Sequence, residues 1–498
     1  MTTEPTRTSS TGPSPQEAGV DPVLLAHDID LPSAFRWGAA TSSHQIEGAH
    51  DVDGRTPSIW DTFAATPGRV RNGDTAQVAV DHYHRWEEDL DLLAWLGVDE
   101  YRFSIAWSRV LPDGSGRPNQ AGLDFYRRLV DGLHERGIEP NVTLYHWDLP
   151  QWLQDRGGWA ARETVDAFVH YAATVAQALG TVVTWATLNE PWCAAFLGHR
   201  AGVHAPGHTD QAEAVAACHH LLLAHGRAVG TLRDVAAHAR DDAARLGIVL
   251  NLAPVRTSGT RPEDLEAVRV VDGGRNRAWL GPLFRGAYPD DVLADWSAVA
   301  DLSVVQDGDL DEIATPIDWL GLNYYNPIWV RAGDGSSPEP GADGVVEDVP
   351  ADAETTAMGW PIDASGLVDV VRRVVDDHAK VPLVVTENGG AFPDRQRSGG
   401  LADGAVDDAP GGGMVQDEDR IRYLQAHLQA IAGLVADGVD LRGYHVWSLL
   451  DNFEWAEGYD FRFGIVEVDD ELVRIPKASA HWYRHVLADH ARRGHGDD

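Results

Sequence analysis

The chain has 498 residues, 43% hydrophobic and 23% charged, and its 77 acidic residues against 40 basic ones leave a formal charge of −37. At a loose prior of ~150 residues per domain this length gives about three domains or one large α/β barrel, and the composition excludes a disordered, collagen-like or coiled-coil chain. The charge argues against nucleic acid or an anionic membrane as a partner, since both would be repelled, and no run approaches the ~18 consecutive apolar residues of a membrane span.

Residues 1–30 are rich in Thr, Ser, Pro and acids and lack the basic-then-apolar order of a signal peptide, so they read as a flexible tail on a cytoplasmic protein. From residue 31 to 487 short apolar or β-branched runs alternate with amphipathic stretches, and residues 488–498 read as a polar C-terminal tail. In chain order the β-like runs are FRWGAAT from Phe35, EYRFSIAW from Glu100, EPNVTLYHW from Glu139 and VTWATLNEP from Val183. LGIVLNLAP from Leu246, IDWLGLNYY from Ile317, VPLVVTENGG from Val381 and LRGYHVWSLL from Leu441 complete a set of eight, the number that a closed barrel needs.

Between them lie helical patterns. Phe125, Leu129 and Leu133 are spaced by four, and Ile421, Leu424, Leu428 and Ile431 repeat the pattern before the last strand. Runs such as VPLVV are apolar throughout rather than alternating, as expected of parallel strands covered on both faces. The expected fold is therefore α/β, a single (β/α)8 TIM barrel with extended βα loops. Two polar inserts, 332–356 after the sixth strand and 393–417 after the seventh, read as surface loops at the mouth, where βα loops build active sites.

The strand ends carry Gln, His, Asn, Glu, Tyr and Trp rather than turn residues alone, and a barrel converges them on one mouth. Glu190 ends the fourth strand beside Asn189, and Glu387 ends the seventh beside Asn388. A lone strand-end glutamate is usually solvated or salt-bridged, but two carboxylates facing across a pocket are the minimal equipment for glycoside hydrolysis. The chain also carries 18 Trp, whose faces stack on sugar rings even if many are core.

With these residues in hand, the chain resembles glycoside hydrolase family 1 β-glucosidases. The matching segments are FRWGAATSSHQIEG, YRFSIAWSR, YHWDLP, TLNEP, GLNYY, TENG and WSLLDNFEWAEGY, in family order over nearly the whole chain. The resemblance implies that Glu190 is the acid/base and Glu387 the nucleophile of a retaining double displacement, with the carboxyl groups about 5–5.5 Å apart. It implies that Gln45, His146, Asn189, Glu454 and Trp455 bind hydroxyls of the nonreducing sugar above a Trp447 platform. Asn323 and Tyr325 would line the site, Tyr325 bonding the nucleophile, while Arg102 would favour the Glu387 anion. Trp360 matches an aglycone contact. The implied substrates are small β-glucosides and oligosaccharides, including those of cellulose degradation, with β-fucosides and β-galactosides as further candidates.

Other constellations carry less. His82 and His84 do not share a helix face, His219 and His220 are adjacent, and no HExxH motif occurs, so no metal site is read. Neither GxGxxG after a strand nor GxxxxGK[ST] is present, and no cofactor is expected. Cys193 and Cys218 are too few for a disulfide framework and read as packing residues, Cys193 close to Glu190. A 6-phospho-β-glycosidase is disfavoured because Glu454 and Trp455 are intact and no lysine follows before Lys477. A noncatalytic sugar-binding relative would have lost one of the two glutamates. A transglycosylating enzyme shares every motif, and the oligomeric state is not encoded in any of them.

Overall fold

The computed structural model describes residues 29–239, 244–396 and 415–494. Residues 1–28 of the expected tail and most of the 393–417 insert lie outside the described residues, while Ile29, at the end of that tail, is buried. Eight parallel strands close into a barrel: β1 Arg36–Ala40, β2 Glu100–Ser104, β3 Glu139–Tyr145, β4 Thr184–Asn189, β5 Arg245–Asn251, β6 Trp319–Asn323, β7 Leu383–Asn388 and β8 Leu441–Trp447. Each coincides with one of the eight runs read from sequence, and each pairs with its sequence neighbours, β1 closing on β8 through Arg36↔Gly443 to Ala40↔Trp447. The fold is a (β/α)8 TIM barrel.

Burial explains the continuous apolar runs. The strand residues are almost all buried because helices cover the outer face and side chains fill the interior. At the N-terminal end of the barrel that filling is tight. A Cβ at Gly38 would lie 1.8 Å from His445 Cδ2, so the glycine makes room for an imidazole that bonds Glu100.

The long helices are α1 His82–Leu96, α2 Gln120–Glu135, α3 Glu163–Ala178, α4 Gln211–Ala239, α5 Ala364–Asp377, α6 Glu418–Ala436 and α7 Ala478–Gly494. After β5 the covering layer is a series of shorter helices between residues 262 and 313. Phe125, Leu129 and Leu133 of α2 and Ile421, Leu424, Leu428 and Ile431 of α6 are all buried, as their spacing requires. Helix ends follow local chemistry: Asp363 caps α5 by accepting from Ser365 N at 2.8 Å, and Gly97 ends α1 in the left-handed region. Among the described residues no helix is long and apolar enough to cross a membrane.

Two boundaries differ from expectation. Helix α7 runs to Gly494, past the boundary at residue 487. Its apolar period stops at Leu487, but Ala and Arg sustain the helix, and Arg493 donates to Ile29 O at 2.9 Å. The polar stretch 332–356 is also no plain loop. Ile328–Ser336 pairs antiparallel with Asp343–Glu347 and parallel with Val255–Arg256, and this small sheet builds its own core from Ala267, Val271, Val330, Ala342 and Val345. The sparse apolar residues suffice because only one face of the sheet is covered.

The ends of the other insert are tied down. Arg395–Gln396 pairs antiparallel with Val415–Gln416, and the buried Asp417 carboxylate accepts from Arg420 and from Ser479 N at 2.8 Å. Two antiparallel residues in register need only a tight turn to join them. Replacing residues 397–414 by a four-residue Asn-Gly turn should therefore keep the fold, with Tm within about 3 °C of the parent by differential scanning calorimetry. A larger fall would mean that the insert contributes packing to the barrel.

Candidate active site

The site grows from the C-terminal ends of β2, β3, β4, β6, β7 and β8. Arg102 on β2 is fully buried, and as a permanent cation in the barrel interior it must be paired. Its Nη1 donates to Glu387 Oε1 at 2.5 Å and its Nη2 to Asn189 Oδ1 at 2.7 Å. Tyr325 donates to the other Glu387 oxygen at 2.6 Å. The β6–β7 register sets Asn323 beside Glu387, and Asn323 Nδ2 donates to Glu190 Oε1 at 2.7 Å and to Asn189 Oδ1 at 3.0 Å. Glu190 Oε2 meets only the Cys193 thiol, at 3.2 Å.

These bonds fix a tautomer. Arginine only donates, so Asn189 must turn its oxygen to Arg102 and its amide nitrogen to His146 Nε2, 3.0 Å away. Burial, with Arg102 adding to it, lowers the His146 pKa well below the usual range, so the ring is neutral and carries its proton on Nδ1. That Nδ1 has no hydrogen-bond partner among the described residues, and His146 lines the central cavity.

The cavity has a volume of about 330 Å³. One wall is aromatic: His146 stacks on Trp447 at 5.8 Å and on Trp455 at 5.9 Å, and Trp455 packs on Trp147 at 4.5 Å and Trp60 at 4.6 Å. Trp360, half-buried on the opposite side, meets Tyr325 edge-on at 5.6 Å. Glu190, Trp147 and Trp455 hold left-handed backbone at φ of 42°, 78° and 50°. Such strain costs about 1–2 kcal/mol at each non-glycine residue, and all three side chains line the cavity. Gly389, next to the Glu387–Asn388 turn, approaches Trp447 so closely that an added Cβ would lie 1.8 Å from its carbonyl oxygen.

Carboxylates crowd this space. Burial pushes Glu387 up to about 7, with Arg102 pulling it down, Glu190 pushing it up and the Tyr325 hydrogen bond lowering it. Both Glu387 oxygens nevertheless face strong donors, a guanidinium and a phenol, which favour its anion, whereas Glu190 faces an amide and a thiol. Glu454 is pushed up to about 8 by burial and by repulsion from Glu387, Glu190 and Glu457. Burial and these neighbours thus favour the neutral form of Glu454.

His146, Glu190, Asn323, Tyr325, Trp360, Glu387, Trp447, Glu454 and Trp455 all border the cavity. Gln45, Asn189 and Arg102 are fully buried behind that wall. Gln45 spends its amide on Asn452 Oδ1 and Phe453 O, both at 2.9 Å, and reaches Glu454 only at 3.5 Å. Trp147, Trp192, Met358 and Arg275 also line the cavity and were not singled out from sequence. Trp147 and Trp192 adjoin quoted motifs, so YHWDLP and NEPW carried their signal; Arg275 sits in a helical segment after β5 with no motif of its own.

The family model described as Glycosyl hydrolase family 1 matches residues 27–492. A bifunctional β-D-glucosidase/β-D-fucosidase of Bifidobacterium breve is 47% identical over 477 residues, covering 93% of this chain and 99% of its own. Beta-glucosidase A of Thermotoga maritima is 45% identical, with 92% and 97% covered. Among solved structures, the psychrophilic β-glucosidase of Micrococcus antarcticus superposes with a TM-score of 0.86 at 43% identity, over 94% of this chain and 99% of that one. The T. maritima β-glucosidase in complex with deoxynojirimycin gives 0.84 at 44%, over 93% and 99%.

The crowding has a consequence for stability. Glu454 titrates at about 8 in the fold against an ordinary 4.5, so between those values the folded state binds the extra proton and stability falls as pH rises. Glu454→Gln removes this penalty. The variant's Tm should exceed the parent's by about 2 °C at pH 8.5 and converge with it at pH 4.5 in parallel thermal melts; a difference that does not vary with pH would refute the origin given for the shift.

Proposed function

The chain belongs to glycosyl hydrolase family 1, and from that premise we propose that it is a retaining β-glucosidase that removes terminal nonreducing β-D-glucosyl residues from small carbohydrate substrates. One observation carries the reading: a single cavity holds Glu387, anchored by Arg102 and Tyr325, together with Glu190, anchored by Asn323. Two carboxyl groups with opposite hydrogen-bond environments can divide the roles of anion and acid.

In the first step a Glu387 oxygen bonds to the anomeric carbon as the bond to the aglycone oxygen breaks, and the Glu190 proton passes to that departing oxygen. Esterified Glu387 no longer repels a second anion. Glu190, now a carboxylate, takes a proton from water as the water oxygen attacks the anomeric carbon, Glu387 leaves, and the β configuration returns. Arg102 and Tyr325 stabilise the carboxylate before and after, without moving a proton themselves.

The sugar would lie against Trp447, with His146 Nδ1 donating to one hydroxyl and Glu454 and Trp455 serving others. Gln45 and Asn189 support this set from behind: Gln45 through the Asn452–Glu454 turn, Asn189 by orienting His146. Trp360, beside Tyr325, serves the aglycone. Glu454 accepts protons from sugar hydroxyls best once ionised, and hydroxyl donors on a bound sugar favour that ionisation. β-Fucosides are expected alongside β-glucosides, in line with the bifunctional relative, and galactosides more slowly. Side chains fill every role, so no cofactor is invoked. A cytoplasmic location is part of this reading.

Glu387→Gln should fold normally and lose at least roughly 10³-fold in kcat on nitrophenyl β-glucoside, because the covalent route closes. Comparable turnover in the purified variant would remove Glu387 from the mechanism. Glu190→Ala should still be glycosylated by aryl glycosides with good leaving groups but hydrolyse the intermediate slowly. Azide should then restore the rate and yield the β-glycosyl azide, identified by NMR; an α product would contradict double displacement.

A further inference from the structure

Beside Glu190 the cavity wall carries a cation whose charge no carboxylate answers. Arg275 lies in the segment Gly273–Arg277 after β5, and its guanidinium carbon sits 3.8 Å over the Trp192 ring. Among the described residues no carboxylate lies within 4 Å of it, and its buried Nε has no hydrogen-bond partner. Burial works against its charge, while Glu339 and Glu190 favour it from a distance. Glu339 is engaged elsewhere: one oxygen accepts from Trp192 Nε1 at 3.1 Å and the other from Ser337.

The backbone holds Arg275 in place from both sides. A Cβ on Gly274 would meet Glu339 Cγ at 2.5 Å, so this stretch is pressed against the small sheet. Asn276 closes a two-bond clasp on Ala253, donating to its carbonyl at 2.8 Å and accepting from its amide at 3.2 Å. A half-buried guanidinium without an acidic partner costs stability unless something answers it, and the acids that line the cavity with it are Glu190, Glu347, Glu387, Glu454 and Glu457.

We propose that Arg275 makes the leaving-group side of the cavity selective for β-glucosides whose aglycone carries a carboxylate. A planar guanidinium matches a carboxylate in two parallel hydrogen bonds. Trp192 beneath it holds the guanidinium in place by the cation–π contact and lines the same cavity. Among the described residues that line the cavity Arg275 is the one arginine or lysine, set against five glutamates, so the selectivity is positional as well as electrostatic. This inference rests on the β-glucosidase reading and adds to it the class of leaving group.

The test compares 4-carboxyphenyl β-D-glucoside with its neutral carboxamide counterpart, and reads the ratio of their kcat/KM in the parent, Arg275→Gln and Arg275→Lys enzymes. Leaving-group chemistry differs between the two substrates but not between enzymes, so only the change in ratio counts. The expected result is a ratio that falls about tenfold in Arg275→Gln, is largely kept in Arg275→Lys, and weakens with salt in the parent. A change below fivefold in Arg275→Gln overturns the proposal. Nitrophenyl β-glucoside separates the two levels: if the parent does not turn it over, the glucosidase reading itself falls, whereas turnover with an unaltered ratio refutes only the role of Arg275.

Discussion

The site depends on one buried charge. Arg102, fully enclosed in the barrel, ties β2 to Glu387 on β7 and to Asn189 on β4, and through Asn189 and Asn323 the chain of bonds reaches Glu190. A guanidinium in such surroundings is tolerated only when its charge is answered, and the answers here are Glu387 and Asn189, two of the residues to which the proposed chemistry assigns roles. Removing the cation would leave the Glu387 carboxylate in a low-dielectric space with Glu190 as neighbour. The same network propagates to His146, because the direction of Asn189 fixes which imidazole nitrogen carries hydrogen.

Around this core the cavity combines two hostile demands, a cluster of carboxyl groups and an apolar sugar-binding face. Tryptophan reconciles them. Trp447, Trp455 and Trp147 form a continuous aromatic wall with His146, and Glu190, Glu387 and Glu454 border the same cavity. Burial first, and repulsion among the acids after it, raises Glu387 and Glu454, so the pocket holds electrostatic strain. Left-handed backbone at Glu190, Trp147 and Trp455 adds conformational strain at the same place. The large surrounding core absorbs both.

The acidic composition takes on a specific meaning inside the molecule. Almost all positive charge is arginine, and arginine is the cation that answers buried carboxylates with a fixed fork: Arg109 on Glu47, Arg474 on Asp89 and Arg420 on Asp417 are each fully buried. Lys477, one of two lysines, is buried between Asp394 and Asp451. Arg275, half-buried in the cavity wall, has no acidic partner within 4 Å among the described residues.

The sequence by itself determined the barrel and pointed to Glu190 and Glu387 as the proposed reacting pair. Runs such as VPLVV and EYRFSIAW are apolar because strands covered on both faces must be, and helix periods such as Phe125, Leu129 and Leu133 are local and survive any tertiary detail. Glu190 and Glu387 were legible because strand ends are fixed points of the barrel. Tertiary structure alone decided what depends on neighbours from distant segments. It set Gln45 and Asn189 behind the wall rather than on it, turned the polar 332–356 stretch into a sheet with its own core, and carried the last helix to Gly494. It also raised Glu454 through repulsion from Glu387 and Glu190, and brought Arg275 over Trp192. Periodicity and motif spacing record which face of a local element is buried, whereas charge, protonation and side-chain pairing follow from distances that exist only once the eight strands have closed.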